Sequence, residues 1–318
     1  MKTLLAAFFA LIAFAAVPAA AGTAPNYNPP FGLWRLPLDG SAPFNMSTIG
    51  FDPATSKPAD VFAQLNAART AHIHVLLTLV DFGKMQEDPP GNFQISRWRA
   101  RYGAWCTPQC LNLKPYVDDG TLLGIHIFEY SSAESAAQRA TPTMDQIQQV
   151  AAVVKSLWPY APVSVDSAHP CLLNGQDWQG TVDIVAITLF TIRQMDFAHG
   201  DALFNREVAC VRQLGMRFTL GPNPFGGLQT GMTPTSLSSF VHYTEFSLLY
   251  PGSMGTYIWR YWPSEDASVT NGRKTFANFW SEQVNPGITA AMHEIEACAA
   301  QRTRQACPHA GGSYAESR

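Results

Sequence analysis

The chain has 318 residues, 14% of them charged, and a formal net charge of −3 at pH 7. Its charged fraction is well below the roughly 25% of typical globular domains, and no basic tract is present. These features argue against a nucleic-acid partner or an anionic membrane surface. The length suits one large domain or two small ones.

Residues 1–21 have the pattern of a secretory signal peptide. Lys2 supplies the positive start, residues 4–17 form an apolar run, and three alanines end the segment at Ala21. No later apolar run approaches the roughly 18 residues that a membrane span needs. We therefore expect cleavage near Ala21, a secreted or periplasmic product, and no membrane contact after cleavage.

The six cysteines indicate disulfides, because an exported chain matures in an oxidising compartment. Local spacing favours Cys106–Cys110 and Cys298–Cys307, which leaves Cys171 with Cys210. A zinc site would need paired C-x-x-C spacing, which the chain lacks.

Taken in order, the chain alternates between short apolar runs and helical patterns. A Pro-rich lead-in precedes the first strand pattern, and Pro58 opens a helix that places Val61, Leu65 and Ala68 on one face. Strands are predicted at residues 31–38, 73–80, 122–128, 163–166, 182–190, 217–220 and 255–262. Helices are predicted from residue 58 and at 95–102, 141–157, 201–214, 233–249 and 274–298.

This alternation predicts parallel βαβ units that close into a (β/α)8 barrel of the TIM type. Only seven strands are identified, so the barrel is either irregular or has its eighth strand after Leu38 or within 94–116. A doubly wound open sheet is the alternative, but the first strand is not followed by a G-x-G-x-x-G turn. We expect a single domain over residues 22–308, a flexible tail over 309–318, and a monomer.

Acidic residues end three of the predicted strands, namely Asp81, Glu129 and Asp166. Active sites of such barrels lie at the carboxyl ends of the strands, where these side chains would meet. Glu129 follows the apolar stretch LLGIHIF, whose low dielectric favours the protonated form that a general acid needs. Asp166 or Asp81 would be its partner carboxylate. A simple alternative for Glu129 is an ion pair with an arginine, and for Asp166 an Asx turn.

Further residues near the strand ends suit contacts to a sugar. Arg35 can neutralise an acid, Asn223 can bind a hydroxyl group, and a late aromatic strand can stack on a sugar ring, although ordinary packing explains these residues as well. The aromatic candidates are Trp259, Tyr261 and Trp262. His169, Glu265 and Asp266 are weaker candidates for the reaction itself.

The His72-x-His74 pair resembles a metal-binding motif but begins a predicted strand. Metal-binding pairs of barrel hydrolases end a strand at the catalytic face. We therefore assign both histidines to the opposite, structural end, and expect neither a metal nor another cofactor.

The junctions IFEY at Glu129 and SVDSAHP at Asp166, with the aromatic strand YIWRYW, resemble the secreted glycoside-hydrolase-like TIM barrels. The resemblance implies a carbohydrate substrate, with an acid/base at the end of the fourth strand and a nucleophile at the end of the seventh. Here the late strands end in Asn223 and in the aromatic cluster of 259–262, without an acid. The chitinase-like D-x-x-D-x-D-x-E pattern is also absent.

The leading hypothesis is therefore an exported hydrolase that cleaves glycosidic bonds with paired carboxylates. One alternative is a non-catalytic glycan-binding barrel that uses the same aromatic residues. A second is a metal-dependent hydrolase that gathers Asp81, Glu129, Asp166 and His169 around an ion.

Overall fold

Eight parallel strands follow one another around a closed barrel in the order of the chain. The computed structural model describes residues 30–33, 38, 44–80, 93–130, 144–167, 181–189, 197–222, 236–258 and 286–310. The predicted (β/α)8 fold is thereby confirmed. The leader at residues 1–21 lies outside the described residues.

The strands and helices have the following bounds. The strands are β1 Phe31–Leu33, β2 Met46–Gly50, β3 His74–Thr78, β4 Leu122–Tyr130, β5 Val163–Ser167, β6 Ile184–Leu189, β7 Arg217–Pro222 and β8 Ser253–Ile258. The helices are α1 Pro58–Thr70, α2 Ile95–Ala104, α3 Lys114–Asp118, α4 Met144–Leu157, α5 Phe197–Gln213, α6 Leu237–Leu249 and α7 Ile288–Gln301.

The strand missing from the sequence prediction is β2, which lies in the segment after Leu38. Its sequence, MSTIG, is short and mixes polar with apolar residues, so it lacks the nearly continuous apolar run of strands such as β3 and β6. Hydrogen bonding to β1 on one side and β3 on the other fixes it as a strand. Long-range pairing thus determined an element that local pattern could not identify.

Helices α5 and α6 begin at other residues than predicted. Helix α5 starts four residues before the predicted Asp201. Helix α6 starts at Leu237, with Ser236 rather than Thr233 as its N-cap, and Ser236 Oγ accepts a hydrogen bond from the Ser239 amide at 3.1 Å. This cap satisfies an amide that the first turn would otherwise leave without a partner.

Side chains along the strands alternate between the surrounding helices and the barrel interior. Val75 and Leu77 of β3 belong to the main core with the helices, whereas Leu76 between them belongs to a small interior cluster with Met46 and Ala186. This alternation identifies the inward-facing position of each strand.

Glycine is required where β1 meets its two neighbours. A Cβ atom at Gly32 would overlap the Met46 backbone of β2, and one at Gly255 of β8 would overlap the Pro30 carbonyl. Both contacts involve main-chain atoms that cannot move aside without breaking the ladder. The barrel therefore closes through two positions that accept no side chain.

The two local disulfides, Cys106–Cys110 and Cys298–Cys307, are present as predicted. Cys210 is also disulfide-bonded, while its predicted partner, Cys171, lies outside the described residues. In the part of the chain that the structure describes, no helix is both long enough and apolar enough to cross a bilayer.

Candidate active site

Several polar side chains are buried in the interior of the barrel. Thr78 of β3, Ser164 and Asp166 of β5, and Thr219 of β7 alternate with residues of the helix-facing core, and each is at most 5% exposed. Thr78 and Asp166 lie at or near the carboxyl ends of their strands, on the face where barrel enzymes carry their active sites.

The ladder aligns a row of four positions, which lies near the carboxyl ends of β4 and β5 and in the middle of β6 and β7. Glu129 of β4 is in register with Asp166 of β5, Asp166 with Ala186 of β6, and Ala186 with Thr219 of β7. Adjacent strands lie about 4.8 Å apart, and positions in register share a face of the sheet. The structure thus brings the two principal acidic positions of the sequence prediction next to each other.

A second pair of positions in register lies closer to the amino ends of β4 and β5. His126 of β4 is in register with Ser164 of β5, and its Nδ1 is 3.0 Å from Ser164 Oγ. Both side chains are fully buried, and burial lowers the pKa of His126 to about 3. The ring is therefore neutral at physiological pH and interacts with the hydroxyl group as a polar group without charge.

Two buried hydroxyl groups accompany these rows. Thr219 Oγ1 and Thr256 Oγ1 are inaccessible to solvent and have no hydrogen-bond partner among the described residues. A buried hydroxyl group without a hydrogen-bond partner lowers the free energy of unfolding by about 1–3 kcal/mol.

A second group of titratable residues lies outside the barrel, between α5, α6 and α7. We call it the C-terminal cluster; it consists of Asp201, His242, Glu245, Glu294 and His309. His242 bonds through Nε2 to Asp201 Oδ1 at 2.9 Å and through Nδ1 to the His309 carbonyl at 2.8 Å.

His309 is held by the other members of this cluster as well. Its amide donates to Glu245 Oε2 at 2.6 Å, and its Nε2 lies 3.2 Å from Glu294 Oε1. Ala310, the next residue, is fully buried. The first two residues of the tail predicted to be flexible from 309 are thus packed against α6.

Glu245 and Glu294 also interact with each other. Burial, together with a hydrogen bond to the Glu294 side chain, raises the pKa of Glu245 to about 8. Glu245 therefore keeps its proton at neutral pH, which allows the two carboxyl groups to approach without like-charge repulsion.

A cleft of about 680 Å³ adjoins the C-terminal cluster. It lies between the amino-terminal halves of α5, α6 and α7, and its apolar lining includes Leu237, Val241 and Ala291. The polar groups at its edge, His242 and Glu245, form hydrogen bonds with the main chain of His309. We therefore interpret the cluster as an attachment of the C-terminal segment and place the candidate active site inside the barrel.

Several predicted site residues lie outside the described part of the chain. This applies to the third acid, Asp81, to His169, Glu265 and Asp266, and to all five predicted sugar contacts. Those five are Arg35, Asn223, Trp259, Tyr261 and Trp262. Their roles stay predictions.

The position of the two early histidines agrees with the sequence prediction. His74 is the first residue of β3, and its Nδ1 is 2.8 Å from the Gly120 carbonyl, so it joins two neighbouring strands at their amino ends. Across the described residues, no group of three or more His, Cys, Asp or Glu side chains is arranged to hold a metal ion.

The sequence prediction missed the His126–Ser164 pair and the C-terminal cluster. A signal for His126 was present, because it is the one strongly polar residue inside the otherwise apolar LLGIHIF. No local pattern marked the C-terminal cluster, because its members are up to about a hundred residues apart in sequence.

No protein-family model matches the chain, and no curated protein matches its sequence. Solved structures with the same barrel include a β-galactosidase from Rahnella sp. R3, at a TM-score of 0.57 and 12% identity, covering 86% of this chain and 53% of that one. Another is an exo-β-1,4-mannosidase from Opitutaceae bacterium strain TAV5, at a TM-score of 0.51 and 15% identity, covering 83% and 55%.

A third is a glycoside hydrolase family 5 protein from Bacteroides vulgatus ATCC 8482, at a TM-score of 0.51 and 12% identity, covering 82% of this chain and 62% of that one. The chain thus spans between half and two thirds of the length of these proteins. At such low identity the likeness establishes the fold: this chain has the TIM-type barrel that these glycoside hydrolases also have.

Proposed function

We propose that this chain is an exported glycoside hydrolase that cleaves glycosidic bonds with Glu129 as proton donor and Asp166 as its carboxylate partner. The observation that carries the proposal is the register of β4 and β5, which makes the two residues direct neighbours at the carboxyl ends of their strands. Asp166 is only 5% exposed, so its carboxyl group is shielded from bulk water.

The chemistry needs these two groups and water. Glu129 donates its proton to the glycosidic oxygen while the bond from that oxygen to the anomeric carbon breaks. The Asp166 carboxylate either attacks the anomeric carbon or takes a proton from an attacking water. If Asp166 attacks, water then displaces it from the anomeric carbon while Glu129 takes a proton from that water. If Asp166 takes the proton of the attacking water instead, it releases that proton to solvent and Glu129 regains one from solvent. In both cases the water oxygen ends on the anomeric carbon and both carboxyl groups return to their starting protonation.

The other predicted residues complete this proposal. Arg35, Asn223 and the aromatic residues Trp259, Tyr261 and Trp262 would bind the sugar, and Asp81 is the alternative partner if Asp166 serves only to support Glu129. The β-galactosidase and the mannosidase that share the barrel suggest β-linked hexosides as first substrates. The disulfides support export to an oxidising compartment.

The test compares wild type with Glu129→Gln and Asp166→Asn on 4-nitrophenyl β-galactoside, 4-nitrophenyl β-mannoside, β-mannan and β-galactan. We expect each variant to lower kcat/KM about 10²- to 10⁴-fold, the usual contribution of such a group. The matched control is Glu296→Gln on the outer side of α7, whose side chain is 40% exposed and which should keep full activity.

Each rival function has its own outcome. Equal turnover by wild type and Glu129→Gln excludes the acid role. Sugar binding without turnover, in wild type and variant alike, identifies a glycan-binding barrel. Activity that a chelator abolishes identifies a metal-dependent hydrolase.

A further inference from the structure

The register of β4 and β5 shifts by one residue just before Glu129. His126 is paired with Ser164, but the next pair is Phe128 with Val165, so Ile127 is an additional residue in β4. In a regular ladder Ile127 would pair with Val165, and Phe128 would then stand opposite Asp166. The bulge changes the residue opposite Asp166 from a phenylalanine to a glutamate.

The bulge also places position 129 on the inner face of the sheet, the face of position 166. Positions three residues apart in a regular strand lie on opposite faces, and Glu129 is three residues after the inward-facing His126. With one additional residue at Ile127, the position of Glu129 is again in register with the inward-facing Asp166. A regular β4 could not place positions 126 and 129 on the same face of the sheet.

Contacts on both faces of β4 hold the bulge. On the inner face, the His126–Ser164 hydrogen bond joins the last pair before the shift at 3.0 Å. On the outer face, Ile127 is fully buried in the core that the helices cover. Only three residues of β4 follow the shift, so few ladder contacts beyond it oppose a slip back to the regular register.

We propose that His126 and Ser164 are positioning residues, whose hydrogen bond keeps the β4 bulge in the register that pairs Glu129 with Asp166. This inference rests on the proposed function for its catalytic consequence, but its structural content is independent of any activity. A neutral imidazole suits the role, because a charged ring beside the carboxylate pair would change the protonation of both acids.

The first experiment measures the register without any substrate. Two cysteine pairs are introduced, Glu129→Cys with Asp166→Cys and Phe128→Cys with Asp166→Cys, and disulfide formation is quantified by peptide mass spectrometry. Neighbouring positions in register satisfy the Cα separation of about 4.4–6.8 Å that a disulfide needs. We expect the 129–166 pair to cross-link preferentially, and Ser164→Ala to shift the preference towards 128–166. Deletion of Ile127 removes the additional residue, so it should leave a regular ladder that still pairs position 129 with position 166.

The second experiment measures catalysis by the Ser164→Ala variant. A misplaced proton donor impairs substrates with poor leaving groups, whereas a dinitrophenolate leaves without protonation. We expect kcat/KM on a phenyl glycoside, whose phenolate needs a proton to leave, to fall about tenfold or more, as small misplacements of catalytic groups do, with little change in kcat/KM on the dinitrophenyl glycoside. Ser164→Thr, which retains the hydroxyl group, should recover most of the activity.

The matched control is Ser247→Ala, which also removes a buried hydroxyl group, one bonded to the Tyr243 carbonyl at 2.6 Å in α6. This variant should change neither the preference for the 129–166 disulfide nor the dependence of activity on the leaving group of the substrate. An unchanged 129–166 preference in Ser164→Ala overturns the positioning role. If wild type cleaves no glycoside, the proposed function fails, and the cross-link experiment still decides the role of the bulge.

Discussion

The barrel interior and the C-terminal cluster both bury titratable groups, with opposite consequences for pH dependence. In the barrel, burial lowers the pKa of His126 to about 3. Between pH 6.5, the ordinary pKa of histidine, and pH 3, the ring is therefore protonated in the unfolded chain and neutral in the folded protein. In the C-terminal cluster, burial raises the pKa of Glu245 to about 8, so the folded protein retains a proton that the unfolded chain releases above 4.5. Desolvation favours the neutral form in both regions, and only the type of group sets the sign.

The two regions also differ in what their hydrogen bonds do. In the C-terminal cluster, the bonds of His242 and Glu245 hold the main chain at residue 309. In the barrel, the His126–Ser164 bond joins two strands next to a register shift, and the Thr219 and Thr256 hydroxyl groups have no described partner. A buried polar group that holds the main chain indicates a structural role, whereas the Glu129 and Asp166 positions lie near the carboxyl ends of their strands, where barrel enzymes carry their active sites.

The largest effect is expected from His242→Phe in the C-terminal cluster. The substitution leaves the Asp201 carboxylate, only 6% exposed, without its imidazole partner. Removing one member of a buried pair typically costs about 3–5 kcal/mol, measured here as the free energy of unfolding in guanidinium chloride.

The control for this variant is the double substitution His242→Phe with Asp201→Leu. It removes both polar groups and should recover much of the loss, because apolar replacements of buried pairs are often close to neutral. A loss below about 1 kcal/mol in the single variant would show that Asp201 is solvated and that the cluster is not a buried attachment.

An intermediate effect is expected on the pH dependence of stability. The His126 contribution is lost as the pH falls from 6.5 towards 3, at about 1.4 kcal/mol per pH unit for one proton. The Glu245 contribution is lost as the pH rises from 4.5 towards 8. Between pH 4.5 and 6.5 the two slopes oppose each other.

Single variants separate these slopes. In His126→Gln, stability between pH 4.5 and 6.5 should fall more steeply with rising pH than in wild type, and in Glu245→Gln it should rise more steeply. The measurement is chemical denaturation at half-unit intervals of pH. His293→Asn, at a side chain that is 75% exposed, is the control and should keep the wild-type profile. Parallel profiles for all four proteins would contradict the burial of both groups.

The smallest effect is expected from Ser236→Ala, which removes the N-cap of the helix that carries His242 and Glu245. Loss of such a cap typically costs about 1 kcal/mol. Because a hydroxyl group does not titrate in this range, the stability curve should shift downward without changing its slope against pH. A changed slope would mean that the start of α6 controls the protonation of the cluster.

The sequence by itself determined the class of fold and the two principal acidic positions. Apolar runs alternating with helical periodicity require a covered parallel sheet, and an acid directly after such a run must lie at a strand end. This local reasoning placed Glu129 and Asp166 near the carboxyl ends of their strands, paired the two local disulfides, and assigned His74 to the structural end. The catalytic roles of the two acids stay a prediction.

Only the tertiary structure decided how these elements meet. The MSTIG segment is a strand because β1 and β3 bond to it, and position 129 is in register with position 166 because β4 carries one additional residue at Ile127. The C-terminal cluster likewise joins residues as far apart as Asp201 and His309. Register and such contacts depend on residues distant in sequence, so no local pattern encodes them.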